Sequence, residues 1–417
     1  MAIKKIKISN FKSFKDLEIK LDKFNVLIGA NASGKSNFIQ IFKFLRDITN
    51  YGLDNAISMQ GGIEYLRNVN VGSSENFSLE VVSDQKSVSL LRRIDIEPEP
   101  YETIYKFALK FKKRGQGFEI VEDKLTQKCV FFQRKNEKGT IPGKEKVGEG
   151  EIIYSVTNGE INVDLIPKEL GVKKENIVLP FLREKKLESK TLLIEHPLHI
   201  FYWDIFHLFS DSLSIYDFDP KLPKKGTPIT GKAELEEDGS NLAIVLKNIL
   251  ENKDKKRKFS NLVKELLPFV DNLDVEKFAD KSLLFKLREI YTKKHYLPSF
   301  LISDGTINIT ALIIALYFNK KPLTLTIIEE PERNIHPYLI SKVIGMMKEV
   351  SQKQQIIVTT HNPEMVKHAG VENILLILRD KEGFSVISRP YEKETVKKFL
   401  QNELGIEELY VRNLLER

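Results

Sequence analysis

The residues with the clearest chemical purpose in this chain are Gly29-Ala30-Asn31-Ala32-Ser33-Gly34-Lys35-Ser36, a fit to the pattern G-x-x-x-x-G-K-[ST] of a phosphate-binding loop. The glycines let backbone N–H groups close around phosphate oxygens. A helix starting at the loop adds the partial positive charge of its N-terminus. Lys35 would then reach the β- and γ-phosphates, and Ser36 would place its hydroxyl on Mg²⁺. The competing reading is a chance match in a glycine turn. The flanks weigh against it: Phe24 to Ile28 is an apolar run of strand type, and the stretch from Asn37 to Leu45 reads as a helix.

A second set of groups lies near the other end of the sequence. Leu323 to Ile328 is an apolar strand that ends in two carboxylates, Glu329 and Glu330. Such a strand is expected where a parallel sheet meets a ligand crevice at its C-terminal edge. Glu329 would hold Mg²⁺ through water, and Glu330 would orient or deprotonate the attacking water. Gln355 to Thr360 is another apolar strand ending in polar residues, followed by His361. Ser303-Asp304-Gly305-Thr306 precedes an apolar helix, Ile307 to Phe318, and presents a hydroxyl, backbone N–H groups and a helix N-terminus to an anion. Read alone, this stretch is better taken as a simple N-capped helix; the flanking motifs favour the anion-binding reading.

The elements around these groups follow from periodicity. Residues 3–28 read as two or three strands, and the helix after the glycine loop runs to about Asn50. From Phe77 to about Val163, period-two alternation with Gly, Asn and Lys turns predicts an antiparallel sheet. Residues 165–300 read as mixed and mostly helical. Within them, His199 to Phe206 is strongly aromatic and favours a core element over a base-stacking platform. A helix begins after Ser240 or Asn241 as cap. Lys253 to Lys258 reads as a solvated loop between helices rather than a DNA contact. The tail carries strands at 373–378 and 384–387, then helices from about Glu392.

The chain has 417 residues, enough for two or three structural units. Its net charge is +7, from 65 basic and 58 acidic residues, an excess that permits a nucleic-acid partner without requiring one. The one cysteine, Cys129, excludes an internal disulfide and a Cys-rich zinc site. It suits a reducing cytosol. The start alternates apolar and charged residues as a strand does, unlike a signal peptide. There is no apolar run of the length that spans a bilayer. A cytoplasmic location without membrane contact is therefore expected. Sustained heptads are missing, so no long coiled-coil arm is expected.

With these motifs in order, the chain resembles the head domains of RecF, of SMC-type proteins and of the OLD family, which are ABC-type ATPases. The resemblance rests on Ile8-x-Asn10-Phe11-Lys12-Ser13-Phe14, about fifteen residues ahead of the glycine loop, and on the segments at 303–305, 323–330 and 355–361. It implies ATP and Mg²⁺ as ligands. Lys12 and Ser13 would lie near adenine and ribose. Ser303 and Gly305 would form the signature loop, which in such heads faces the nucleotide of the other subunit and so implies a dimer, or a higher homo-oligomer, with ATP between heads. Glu329 stands where Asp is usual. His361 would be the switch histidine that senses the γ-phosphate. Gln60 would be the Q-loop glutamine that touches Mg²⁺ or water, although a turn glutamine before Gly61-Gly62 reads as well. The form Glu329-Glu330-Pro331-Glu332 with His336-Pro337 resembles OLD-type phage-defence ATPases. His336 itself reads either as a dimer-face residue or as a helix cap.

The expected fold class is thus α/β, an ABC-type P-loop NTPase head with an antiparallel β lobe and a mostly helical insertion. The expected divisions are 1–75 and 297–417 for the head, 76–165 for the lobe and 166–296 for the insertion. The expected function is an ATPase that works as the sensor subunit of an antiviral defence system, with a separate nuclease or toxin as effector. The alternative is a RecF-like repair ATPase that binds double-stranded DNA. OLD nucleases carry a Toprim domain; no stretch here is long enough for one, so no nuclease activity of the chain's own is expected.

Overall fold

Ile6 and Ile8 alternate with lysines along the first strand, and a register shift between Ile3 and Lys5 leaves Ile3 buried as well. This strand, β1 (Ala2–Phe11), pairs antiparallel with β2 (Phe14–Lys20), Ile6 opposite Ile19 and Ile8 opposite Leu17. Strand β3 (Phe24–Ile28) is buried throughout and delivers the chain to the glycine loop and helix α1 (Lys35–Tyr51). The protein is described from a computed structural model covering residues 2–84, 96–112, 117–135, 143–167, 186–195, 203–278, 281–292, 294–319, 323–401 and 405–416. Packing divides it into two units. One holds residues 1–22, 32–211 and 378–387; the other holds 23–31, 212–377 and 388–417.

The first unit is built on an antiparallel sheet of seven strands. Its further members are β4 (Phe77–Asp84), β5 (Ile96–Phe111), β6 (Phe118–Lys135), β7 (Gly143–Thr157) and β8 (Glu160–Ile166), in the order β2-β1-β4-β5-β6-β7-β8. Helix α1 turns Phe38, Ile41, Phe42, Leu45 and Ile48 inward at helical spacing. Its Phe44 ring lies 6.2 Å from Phe11 and 5.9 Å from Phe77, and Phe77 lies 5.5 Å from Phe107. These aromatic contacts fasten the helix to the sheet, each pair adding about 0.5–1.5 kcal/mol beyond its buried area. Short helices α2 (Leu53–Met59) and α3 (Ile63–Leu66) follow α1. Helix α4 (Trp203–Ser210) packs back on it. Part of the aromatic stretch, His199 to Tyr202, lies outside the described residues; the rest belongs to α4.

The second unit is centred on a parallel sheet. Its strands run β16-β3-β15-β14-β9, with β9 (Leu213–Tyr216), β14 (Leu325–Glu329), β15 (Gln355–Thr360) and β16 (Ile374–Arg379). Register places Ile28 opposite Thr360 and Thr359 opposite Glu329, so the three strand ends lie level. Burial on both faces explains why these strands are continuously apolar. Between 217 and 302 the described residues form both helices and strands. Helices α5 (Leu242–Leu250) and α6 (Lys253–Leu266) pack on β11 (Val270–Phe278). That strand lies in a small antiparallel sheet with β10 (Thr227–Pro228), β12 (Ser282–Glu289) and β13 (Leu297–Pro298).

Lys253 to Lys258, read above as a loop, is instead the exposed start of α6, where the Asn252 side chain accepts from the Lys255 N–H. The inward stripe begins only at Phe259, Val263 and Leu266, so the first turns carry no apolar signal. Asn241 is the cap residue of α5, but its side chain binds Glu236, Lys232 and Glu234 of the preceding loop instead. The further helices are α7 (Asp304–Tyr317), α8 (Pro337–Ser351), α9 (Pro363–Ala369), α10 (Glu394–Gln401) and α11 (Ile406–Val411). Strand β17 (Ser385–Ser388) follows β16 through a hairpin. Among the described residues, no helix is long and apolar enough to cross a membrane.

Candidate functional site

The glycine loop begins where β3 ends. Gly29, in the second unit, is hydrogen-bonded through its backbone to the Tyr410 hydroxyl of α11. Beyond Asn31 the loop belongs to the first unit. Ala32 (φ 62°) and Gly34 (φ 117°) both take left-handed conformations, and Gly34 could not carry a side chain, because the Ser385 and Ser13 hydroxyls fill the space its Cβ would need. Gly34 caps α1 without a side-chain hydrogen bond, which leaves the helix start to an anion. Lys35 is half-buried and Ser36 is exposed there.

Also in the first unit, a cleft of 510 Å³ is lined by Lys12, Ser13, Asn37, Gln60, Asn68 and Arg379 among others. Lys12 sits at φ 47°, with its N–H donating to the Leu66 carbonyl at 2.9 Å and its own carbonyl accepting from Asn68 at 2.8 Å. Burial lowers the pKa of its ammonium. The Asn37 amide donates to Ser13 Oγ at 2.8 Å. Ser385 Oγ lies 2.8 Å from the same oxygen and donates to the Ser33 carbonyl at 2.6 Å. Arg379 Nε donates to the Ala32 carbonyl at 3.1 Å. Gln60 is buried at the end of α2; its Nε2 donates to Gln40 at 3.2 Å, while its Oε1 has no hydrogen-bond partner. Ser385 and Arg379 escaped the sequence reading, because a serine and an arginine on a tail hairpin carry no spacing signal.

The second unit brings together the carboxylates and the histidine. Glu330 follows the end of β14 at φ 43°, with its N–H bonded to the Thr359 carbonyl at 2.9 Å. Its Oε1 lies 2.9 Å from His361 Nδ1, and its Oε2 accepts from Arg333 at 3.1 Å. The Arg333 guanidinium also donates to the Phe218 carbonyl at 3.1 Å and pairs with Asp217 at 3.1 Å. Burial works against the charged form of Glu330. The hydrogen bonds from Arg333 and His361 outweigh it and hold the carboxyl below its ordinary range. Glu332 has the opposite fate. It is buried, its pKa is raised by that burial, and its Oε1 accepts from the Thr360 hydroxyl while Oε2 has no partner. Thr360 in turn accepts from the Asn362 N–H at 3.0 Å, fixing the loop that carries His361.

Ser303 caps α7 through the Thr306 N–H at 3.3 Å. Gly305 abuts the Asn334 carbonyl, leaving no room for a Cβ, and Asn308 donates to the Arg333 carbonyl at 2.6 Å. The signature-type loop therefore touches the turn behind Glu330 through backbone. His336 caps α8 by accepting the Tyr338 N–H at 3.3 Å. Among the described residues, no cluster of three or more His, Cys, Asp or Glu forms a metal cage. The residues present nevertheless fit a magnesium nucleotide, since Mg²⁺ takes one or two protein oxygens and the rest from phosphate and water. The buried Gln60 oxygen without a partner and the uncapped start of α1 match that need in the first unit.

A glycine loop leading from a parallel strand into a helix, with paired carboxylates and a histidine on neighbouring strand ends, defines a P-loop ATPase of the ABC and SMC-head kind. The sequence profile of the family described as "AAA domain, putative AbiEii toxin, Type IV TA system" matches residues 24–367, and the chain belongs to that family. It resembles a solved SMC head bound to the C-terminal winged-helix domain of ScpA, at 16% identity over 93% of this chain and 98% of that one, with a TM-score of 0.51. This likeness is one of fold, and it bears out the expected α/β head with an antiparallel lobe. A stretch of 102 residues is 26% identical to the Septu protein PtuA of Bacillus thuringiensis. That match takes in 22% of this chain and spans about a quarter (26%) of the relative's length.

Proposed function

We propose that the chain binds and hydrolyses ATP and uses the cycle as a conformational switch, as the sensor ATPase of an antiviral defence system with a separate effector. The observation that carries the hydrolytic part is the Glu330–His361 pair, 2.9 Å apart, on strand ends level with the one that feeds the glycine loop. Lys35 and the N–H groups of the loop bind the phosphates, while Lys12, Ser13 and Asn37 line the space for base and sugar. For Mg²⁺ we assign Ser36 and Glu329, with Gln60 as a further candidate, as the motifs imply. Bound Mg²⁺ neutralises charge on the phosphate oxygens. Glu330 orients the attacking water and takes its proton, and His361 fixes the carboxylate.

Ser303 and Gly305 serve the nucleotide of a second copy, so ATP draws two heads together and hydrolysis releases them. The output is a shift between closed and open dimers. Support for the defence role comes from the Glu-Glu-Pro-Glu and His-Pro form, from a family description that names a toxin, and from the likeness to a Septu protein. The test is light scattering of Glu330→Gln with and without ATP, together with turnover of the unaltered chain with and without double-stranded DNA at low and moderate salt. ATP-dependent dimers and DNA-independent turnover are expected. A monomer under all conditions would overturn the switch. Turnover stimulated by DNA and weakened by salt would favour the repair-type reading instead.

A further inference from the structure

Arg333 has no part in the scheme above, yet it holds Glu330 through both its side chain and its backbone. Its guanidinium joins Glu330 Oε2 at 3.1 Å to two groups just beyond β9: Asp217 at 3.1 Å and the Phe218 carbonyl at 3.1 Å. Its N–H closes the turn onto the Glu330 carbonyl at 3.0 Å. Its own carbonyl is held by Asn308 of α7 at 2.6 Å, and the next residue, Asn334, presses its carbonyl against Gly305. Glu330 thus has one oxygen on His361 and the other on a cation, while the cation's backbone is tied to the loop that begins at Ser303. A left-handed conformation at a non-glycine residue such as Glu330 (φ 43°) persists only where its surroundings hold it, and Arg333 closes the turn that does so.

We propose that Arg333 is a positioning residue that restrains Glu330 in the open head and releases it when α7 shifts. This rests on the reading of Glu330 as the group that activates water. The restraint is direct. A carboxylate oxygen engaged with a guanidinium is held in one place and shares its charge, so it serves the water less well. The release is mechanical. With no side chain between Gly305 and Asn334, a displacement of the start of α7 is passed to the Arg333–Asn334 backbone, and the guanidinium leaves the carboxylate. Engagement of the Ser303 loop by a second copy would supply that displacement, so turnover would wait for the heads to meet.

The test is steady-state phosphate release by the full chain across protein concentration, for the unaltered protein, Arg333→Gln, Arg333→Lys, Asn308→Ala and Glu330→Gln, with thermal melting as a check of folding. Arg333→Gln should raise kcat at low protein concentration by roughly two- to fivefold, the rate equivalent of releasing one partly exposed ion pair. KM for ATP should not move, and the dependence on concentration should flatten. Arg333→Lys keeps the charge and should stay near the unaltered protein. Asn308→Ala should shift kcat in the same direction by less. A lower kcat in Arg333→Gln, with Glu330→Gln inactive, would overturn the restraint alone. An unchanged Asn308→Ala would overturn the link to α7. Full turnover by Glu330→Gln would remove the underlying reading, and the proposal with it.

Discussion

The pKa values of two carboxylates two residues apart are shifted in opposite directions by their surroundings. Glu330 is kept charged by Arg333 and His361, while Glu332 is pushed toward its neutral form by burial. Glu332 accepts one hydrogen bond, from the Thr360 hydroxyl, and an amide oxygen can accept it as well. Glu332→Gln should therefore melt close to the unaltered protein. Glu332→Ala should lose about 1–3 kcal/mol, because it strands the buried Thr360 hydroxyl. Thermal melting of both variants checks this; equal losses would mean that the carboxylate charge matters after all. At this scale the motif residues Lys35, Ser36, Glu330 and His361 could be read from type and spacing. Ser385 could not, since its contact with Ser13 joins residues 372 positions apart and no local pattern records such a pairing. Arg333 and Thr360 sat inside the motifs, but their roles depend on side-chain directions that spacing does not specify.

Elements carry the stability, and two of their joints are exposed to test. Helix α1 is fastened to the antiparallel sheet by Phe44, which meets both Phe11 and Phe77. Phe44→Ala should cost about 3–5 kcal/mol in denaturant unfolding of the chain, and a loss well below 1 kcal/mol would show that the contact is not structural. Further along the same sheet, where Asp123 pairs with Phe107, Asp123 accepts from the Tyr105 hydroxyl at 3.0 Å and from the Leu193 N–H at 2.7 Å. Burial raises its pKa to about 7, from 3.8. The folded form therefore holds the proton more tightly than the unfolded form. The stability linked to Asp123 is fully present below pH 3.8 and falls as pH rises toward about 7, by ~4 kcal/mol at most. Melting between pH 5 and 8 should show the decline. Asp123→Asn should flatten it, since the amide oxygen can accept from Leu193 while its NH₂ donates to Tyr105. A slope that survives the substitution would assign the titration elsewhere. Strands of the first unit were legible because one face is wet and alternation marks it. Strand β9 was not. It has four residues and gains its place only by pairing with β14, more than a hundred positions away, at Leu325.

For the whole molecule, the two ends of the sequence supply the parallel sheet apart from β9, and most of the antiparallel sheet comes from between them. The parallel part was legible because its strands are continuous apolar runs that end in functional residues. The order of strands was not, because β3, β15 and β14 become neighbours only through long connections. The ends of β3, β15 and β14 lie level, so Gly29, the two carboxylates and the histidine stand at or just after neighbouring strand ends, and the reading of the chain as a working ATPase rests on that geometry. The most direct measurement is nucleotide binding and phosphate release, side by side, for the unaltered protein, Lys35→Ala and Glu330→Gln. The account predicts that the unaltered protein binds and hydrolyses ATP, and that Lys35→Ala does neither. Glu330→Gln should bind ATP while losing about 10²-fold or more in turnover. Undiminished phosphate release by Glu330→Gln, or by Lys35→Ala, would contradict it.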